Sequence, residues 1–310
     1  MIVHVIPTYQ CNMDCCYCYL GRKKKDAAKL LIGTLRKCLG ELAERYTIDT
    51  VNIYGGEVTL LGAEHLSELI EELLPYTEDI SMTTNLRTEA AWQISENLMD
   101  AYPCLKVATS INDEREGCLD LIMRLMRQKE KRYGLTQVVT PALMKKPSAG
   151  ILKVLQAMGG SVEFLRYSPA ENRVSWNIGN KDFENFMLGI LKEYDSGGYS
   201  IHVHNFDDID ACIRKAYNPY ADSNIFIDPY GRFCTVWFDA DGKESFKEIK
   251  LDEIPNIVRN EKALQAKKCG DCRYLGSCYA EHIKKWQEDD ECCGCKKLLE
   301  YYEENLYQDD

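Results

Sequence analysis

The 310-residue sequence has no apolar run approaching the roughly 18 residues that span a bilayer, so no transmembrane helix and no membrane partner are expected. Its first residues, MIVHVIPTYQC, carry neither a basic n-region nor a cleavage site, which excludes a secretory signal there and points to the cytoplasm. Positive charge is also scarce. Lys and Arg number 38 against 49 Asp and Glu, a net charge of −11. The sole compact basic run, Lys23-Lys24-Lys25, reads first as a solvated loop, so nucleic acid is not an expected partner. The acidic residues Glu288, Asp289, Asp290 and Glu291, with Glu303, Glu304, Asp309 and Asp310, read as solvated faces too.

Cysteine is abundant, with 15 residues, yet nearly missing from the middle of the chain, where only Cys38, Cys104 and Cys118 occur. Cys11, Cys15, Cys16 and Cys18 crowd the N-terminus, and Cys212, Cys234, Cys269, Cys272, Cys278, Cys292, Cys293 and Cys295 lie beyond residue 210. A disulfide framework rarely leaves such a gap, and nothing here is secretory, so two metal-binding regions flanking a folded body are expected. Cys38 falls on an apolar helical stripe with Leu31, Leu35 and Leu42 and reads as core, and Cys104 and Cys118 as structural thiols.

With 45% hydrophobic and 28% charged residues, the body suits a soluble fold of one large domain and a smaller appended one. Apolar strands are expected at 2–7, 50–54, 80–84, 105–111, 135–140 and 161–167. Helical periodicity follows each, at about 26–46, 63–74, 88–100, 116–132, 148–158 and 181–194. Asp26 is a candidate cap for the first helix, and Gly159-Gly160 closes the fifth. Such a βα succession implies an α/β fold with a parallel sheet, here an open (β/α)6 barrel over 1–198, followed by a small Cys-rich α+β domain over 199–310. Active sites of such folds collect at the C-terminal ends of the strands, and the first cysteine group follows strand one.

In Cys11-Asn-Met-Asp-Cys15-Cys16-Tyr17-Cys18, three thiolates on one loop suffice for three irons of a cubane and leave the fourth iron without a protein ligand. An open position is what a catalytic metal needs; zinc is the other metal such thiols hold. C-x3-C-x2-C with an aromatic before the last cysteine resembles the signature of the radical S-adenosylmethionine (SAM) family. The resemblance implies a [4Fe-4S] cluster on Cys11, Cys15 and Cys18 that reductively cleaves SAM to a 5′-deoxyadenosyl radical, with Cys16 a spacer. Gly55-Gly56-Glu57, in IYGGEVTLL, resembles the family's GGE motif, although Val58 stands where proline is common. That segment is then expected to contact the amino group of SAM. Thr83-Thr84-Asn85 and Ser110-Ile111-Asn112 match polar strand ends of the family. Thr84, Asn85, Ser110, Asn112 and Arg115 are the further implied SAM contacts, with Tyr17 near the adenine.

Residues 225–238, IFIDPYGRFCTVWF, read as a hairpin turning at Asp-Pro-Tyr-Gly. With Cys234 and the downstream Cys269-x2-Cys272-x5-Cys278 box, the region resembles the SPASM and twitch domains of radical SAM enzymes, which hold two or one auxiliary [4Fe-4S] clusters. Two departures stand out: Gly231 and Cys234 are separated by two residues rather than four, and His282 occupies a usual cysteine position. The missing ligand is then His282, a tail cysteine or an open iron, and a zinc knuckle remains the alternative for the box. Cys269, Cys272 and Cys278 are expected to share one cluster with Cys292, Cys293 or Cys295, while Cys212 and Cys234 serve another. The resemblance implies a peptide or protein substrate, such as a precursor peptide undergoing crosslinking, thioether formation, epimerisation or oxidation, and an external electron donor of the flavodoxin or ferredoxin kind. A small-molecule dehydrogenase of the twitch type and a non-catalytic zinc or electron-transfer protein are the rivals. Because the cysteine loop begins at residue 11, a leader peptide is expected to be read by another surface or a partner protein, or the substrate is not a leader peptide at all.

Overall fold

The computed structural model describes residues 1–15, 18, 20–112, 115, 117–166, 178–238, 244–278, 292 and 295–307. Six strands alternate with helices. They are β1 (Ile2–Val5), β2 (Thr50–Ile53), β3 (Ile80–Thr83), β4 (Leu105–Ile111), β5 (Tyr133–Val139) and β6 (Ser161–Arg166). The helices are α1 (Ile32–Ala43), α2 (Ala63–Leu73), α3 (Glu89–Ala101), α4 (Cys118–Arg127), α5 (Ser148–Met158) and α6 (Asn180–Gly197). Beyond them come β7 (His202–Val203), α7 (His204–Ile213), β8 (Asn224–Ile227), β9 (Phe233–Phe238), β10 (Glu244–Glu248), α8 (Ile254–Cys269) and α9 (Lys296–Asn305).

The ten strands of the described residues join one sheet, in the order β10-β9-β8-β1-β2-β3-β4-β5-β6-β7. Every pairing from β8 to β7 is parallel, as in Val3 opposite Val51 and Ile225, while β8–β9 and β9–β10 are antiparallel. The hairpin expected at 225–238 therefore exists, and it extends the barrel sheet at the β1 edge. Alternation explains which face is packed. In β4, Leu105, Val107, Thr109 and Ile111 are buried while Lys106, Ala108 and Ser110 are more exposed, and β2, β3 and β5 repeat the pattern. Val3, Val51, Ile53, Ile80, Met82 and Leu135 join Leu35, Leu39, Leu66, Leu69, Leu152 and Leu155 of the helices in the main core. The opposite face carries small polar side chains: Thr50, Asn52, Ser81, Thr83, Ser110 and Thr136.

Local signals account for several boundaries. Thr88 caps α3 by accepting from the Ala91 N–H (3.2 Å), and Gly159 ends α5. The first helix starts later than expected. Leu30 donates its N–H to the Pro7 carbonyl (2.8 Å) and Lys29 bridges to Thr8, which holds this segment extended until Ile32. Asp26 does not cap α1; it ends the 3-10 turn Gly21–Lys25 and accepts from the Ala28 N–H (2.9 Å) and from the Tyr230 hydroxyl (2.6 Å).

Candidate functional site

The loop after β1 lies across the end of β2. Gly56 and Glu57 donate their N–H groups to the carbonyls of Thr8 (2.9 Å) and Gln10 (2.8 Å). Glycine is required here by space. A Cβ on Gly56 would sit 2.1 Å from the Gln10 carbonyl oxygen and 2.6 Å from that of Tyr9; one on Gly55, whose φ is +142°, would meet Ile6 and the Thr8 carbonyl at 2.6 and 2.8 Å. The chain then enters Cys11, whose N–H faces the Lys24 carbonyl (3.4 Å), and Cys18 closes a turn by donating to the Cys15 carbonyl (3.2 Å). Burial pushes the thiols of Cys11 and Cys18 up, and the nearby Cys15 adds to both shifts, against a modest pull from Lys24. Lys24 is itself ion-paired with Asp14. A sulfur group of this kind needs added positive charge to ionise fully, which is what a bound metal centre supplies. Cys16 and Tyr17 lie outside the described residues.

Glu57 is fully buried beneath this loop. One carboxylate oxygen accepts from the Thr59 N–H (3.1 Å) and from the hydroxyls of Thr59 and Thr84 (both 2.6 Å). The other accepts from the Asn85 N–H (2.7 Å). Thr84 and Asn85 thus meet the GGE segment through one carboxylate, and Asn85 reaches on, its Nδ2 2.7 Å from Asn12 Oδ1 and 4.0 Å from Cys11 Sγ. Glu57→Gln keeps the shape but turns an N–H donor toward a donor. It should lower stability by about 1–3 kcal/mol in chemical denaturation, with an unchanged midpoint contradicting the assignment.

Arg115 closes the neighbouring strand ends. Its buried guanidinium donates to the carbonyls of Ser110 and Asn85, with Thr109 Oγ1 at 3.4 Å. Asn112 is fully buried beside it in sequence, and Ser110 is half-buried. Cys11, Gly56, Glu57, Thr84, Asn85 and Arg115 therefore form one connected network across the C-terminal ends of β1 to β4.

Sequence reasoning passed over a second contact to this loop. Tyr9 donates its hydroxyl to Asp228 Oδ2 (3.3 Å), and Asp228, fully buried in the hairpin turn, accepts from Arg232 Nε (2.8 Å). Burial and the Asp228 charge keep the Tyr9 phenol well above its ordinary range. The visible signal was the Asp and Arg bracketing the Pro-Tyr-Gly turn, an ordinary turn composition. Cys234 lies in the same place. It is buried with Ile6, Tyr9, Leu20 and Phe226, with Cys18 packed against the group, and burial plus Asp228 push its thiol up to about 12.

The expected opposition of Cys212 and Cys234 is not what the structure holds. Cys212, near the end of α7, is fully buried in the same core cluster as Cys278 and Cys295, and its carbonyl accepts from Ser277 Oγ (3.2 Å). Cys278 and Cys295 are hydrogen-bonded to each other. That bond brings Cys278 below the usual thiol range, and the same bond together with burial holds Cys295 above it. Cys269 and Cys292 stand close enough to raise their neighbours, and Cys272 follows Cys269 in a turn (N–H to carbonyl, 2.8 Å). Helix geometry supplies this second grouping: α7, α8 and α9 each deliver a cysteine from an end, and Glu184 of α6 accepts from the Lys297 N–H (2.7 Å) at the start of α9. His282 and Cys293 lie outside the described residues.

The ten-stranded, mainly parallel sheet with a three-cysteine loop after its first strand is the fold of radical SAM proteins. No protein-family model matches the chain. It is 31% identical over 94 residues to the probable GTP 3′,8-cyclase of Pyrococcus horikoshii, covering 30% of this chain and 29% of that protein. It is 27% identical over 93 residues to the putative peptide biosynthesis protein YydG of Bacillus subtilis, covering 30% and 28%. In these matches the chain spans less than a third of the length of its curated relatives. The solved structure of native anSMEcpe with bound AdoMet and Cp18Cys peptide superimposes with a TM-score of 0.62 over 98% of this chain and 97% of that one, at 14% identity. The resemblance to radical SAM proteins thus extends over the whole fold, with sequence similarity over part of it. Among the described residues no helix is long and apolar enough to cross a membrane.

Proposed function

We propose that this chain is a radical SAM enzyme that modifies a peptide or protein substrate. The observation that carries the reading is the seating of the Cys11–Cys18 loop on the Gly55-Gly56 backbone, with Asn85 Nδ2 4.0 Å from the Cys11 sulfur. Cys11, Cys15 and Cys18 would hold a [4Fe-4S] cluster. Once reduced by one electron and with SAM bound, such a cluster would provide reductive cleavage of SAM to methionine and a 5′-deoxyadenosyl radical for hydrogen abstraction from the substrate.

The remaining roles fall to the chain's own groups. The Glu57 carboxylate is already committed to Thr59, Thr84 and Asn85, so the Gly55–Glu57 segment meets the SAM amino group through main-chain carbonyls. Asn85 and Asn12 orient the cysteine loop. Ser110 and Asn112 serve the ribose or carboxylate of SAM, and Tyr17 its adenine. Arg115 keeps the ends of β3 and β4 in register and offers its remaining donors to the carboxylate.

Residues 199–310 act as the appended auxiliary region. Cys269, Cys272, Cys278 and Cys295 would hold an auxiliary [4Fe-4S] cluster, with Cys212 and Cys292 beside it, and a ferredoxin- or flavodoxin-like donor supplies electrons. A peptide substrate is favoured by the polar face of the sheet. Ser81, Thr83, Ser110, Thr136 and Ser161 there offer hydroxyl groups to the main chain of a bound segment. Similarity to a putative peptide biosynthesis protein agrees.

Co-expression with candidate precursor peptides, taken from any short open reading frame found beside its gene, followed by mass spectrometry, tests this reading. A peptide mass change that disappears with the Cys11, Cys15 and Cys18 thiols is the expected result. Unmodified peptides, together with turnover of a nucleotide or another small molecule, would replace it with the small-molecule alternative that similarity to a probable GTP 3′,8-cyclase favours.

A further inference from the structure

His202, His204 and Asp207 meet at the junction of β7 and α7, and neither the cysteine loop nor the C-terminal cysteines use them. His202 Nε2 lies 2.7 Å from Asp207 Oδ2, and His204 Nδ1 lies 3.6 Å from the same oxygen. One nitrogen from each ring and one carboxylate oxygen all fall within 4.8 Å of one another. The two imidazoles stand edge to face, their centroids 4.7 Å apart. Local structure produces this. His202 is the first residue of a two-residue strand, opposite Ser161 at the start of β6, and His204 opens the helix. Asp207 sits one turn further, on the same side as His204.

The location separates this group from the catalytic end of the sheet. The cysteine loop follows the C-terminal end of β1, whereas His202 pairs with the first residue of β6, at the N-terminal edge. From His204 to Cys212 is eight helical residues, roughly 12 Å of axis at about 1.5 Å each.

We propose that His202, His204 and Asp207 bind a borderline divalent transition metal, with zinc the best match. Two imidazoles and a carboxylate are the donor set of open three-ligand zinc sites. Ligand atoms about 2.0–2.2 Å from a tetrahedral zinc lie roughly 3.3 Å from each other, so the present spacings need only small rotamer changes. All three residues are exposed, which leaves the fourth position to water or an incoming group. Lys106 is the nearby cation opposing a metal, and Asp79 engages it at 2.6 Å. The bound metal would fasten β7, a sheet edge held by two residue pairs, to the first turn of α7.

The test uses iron-loaded protein, so that thiols are already occupied, stripped of other metals and given one equivalent of Zn2+. Elemental analysis should find one zinc per chain, and zinc X-ray absorption should show a nitrogen/oxygen shell without sulfur. His202→Ala and His204→Ala should each weaken zinc binding by more than the ~10–100-fold typical of losing a ligand's hydrogen-bond partner, at unchanged iron content. Absence of zinc, sulfur ligation, or full retention in both variants would overturn the proposal. Should a variant lose iron or fold, the absorption spectrum of the unaltered protein decides alone.

Discussion

Replacing Cys11, Cys15 and Cys18 together with alanine should reduce 5′-deoxyadenosine release to that of a protein-free control. It should also remove about four irons per chain and leave about four in place. The two numbers separate because the two sulfur groupings are built by different parts of the fold. The N-terminal loop is fixed by main-chain bonds to Gly56 and Glu57 at the end of β2, whereas Cys278 and Cys295 are delivered by the segments around α8 and α9. Removing three thiols at the first place strips no hydrogen bond from the second. Iron analysis with an assay of 5′-deoxyadenosine checks both halves. Loss of all iron would mean that the groupings depend on each other, and residual cleavage would place the chemistry elsewhere.

Gly56→Ala is the second large effect, produced by one methyl group. The new Cβ would lie 2.1 Å from the Gln10 carbonyl oxygen and 2.6 Å from that of Tyr9, both backbone atoms that cannot rotate aside. The segment leading into Cys11 must then shift by about 1 Å, a displacement that costs on the order of 100-fold in rate at a reacting centre. Overpacking should cost a further 1–3 kcal/mol or so of stability. Gly40→Ala is the contrast. Gly40 lies within α1 with nothing inside 4 Å of the added carbon, so activity should hold and stability rise by about 0.5–1 kcal/mol. Equal SAM-cleavage rates for the two variants would show that the glycine pair does not support the loop.

Much of the barrel was legible because its signals are local. Helix α5 appears at 148–158 as expected, bounded by Pro147 and Gly159, and each of the first six strands contains an apolar run at the expected place. What escaped depends on partners distant in the chain. The late start of α1 follows from the contacts of Leu30 and Lys29 with Pro7 and Thr8, which no helical periodicity encodes. Pairing of β8 with β1 joins residues more than 200 apart, so the hairpin was readable but its place in the sheet was not.

The candidate site divides in the same way. Cys11, Cys15, Cys18 and the GGE segment announce themselves through spacing, yet the work of Glu57 as a buried acceptor for Thr84 and Asn85 appears only in three dimensions. Cys212 and Cys234 looked like partners because they bracket one hairpin region. Cys212 is buried in the main core together with Cys278 and Cys295, whereas Cys234 belongs to a separate cluster with Tyr9 and Leu20, so chain proximity was misleading. Tyr9 carried no signal and Asp228 only that of an ordinary turn, because a tyrosine after a strand and an aspartate in a turn are common in any fold.

The central claim is that the Cys11–Cys18 loop supports reductive cleavage of SAM. The most direct measurement incubates the anaerobically reconstituted, reduced protein with SAM and quantifies 5′-deoxyadenosine and methionine by chromatography. The account predicts both products in equal amounts, formed only with reductant. A fully iron-loaded, reduced sample that leaves SAM intact would contradict it.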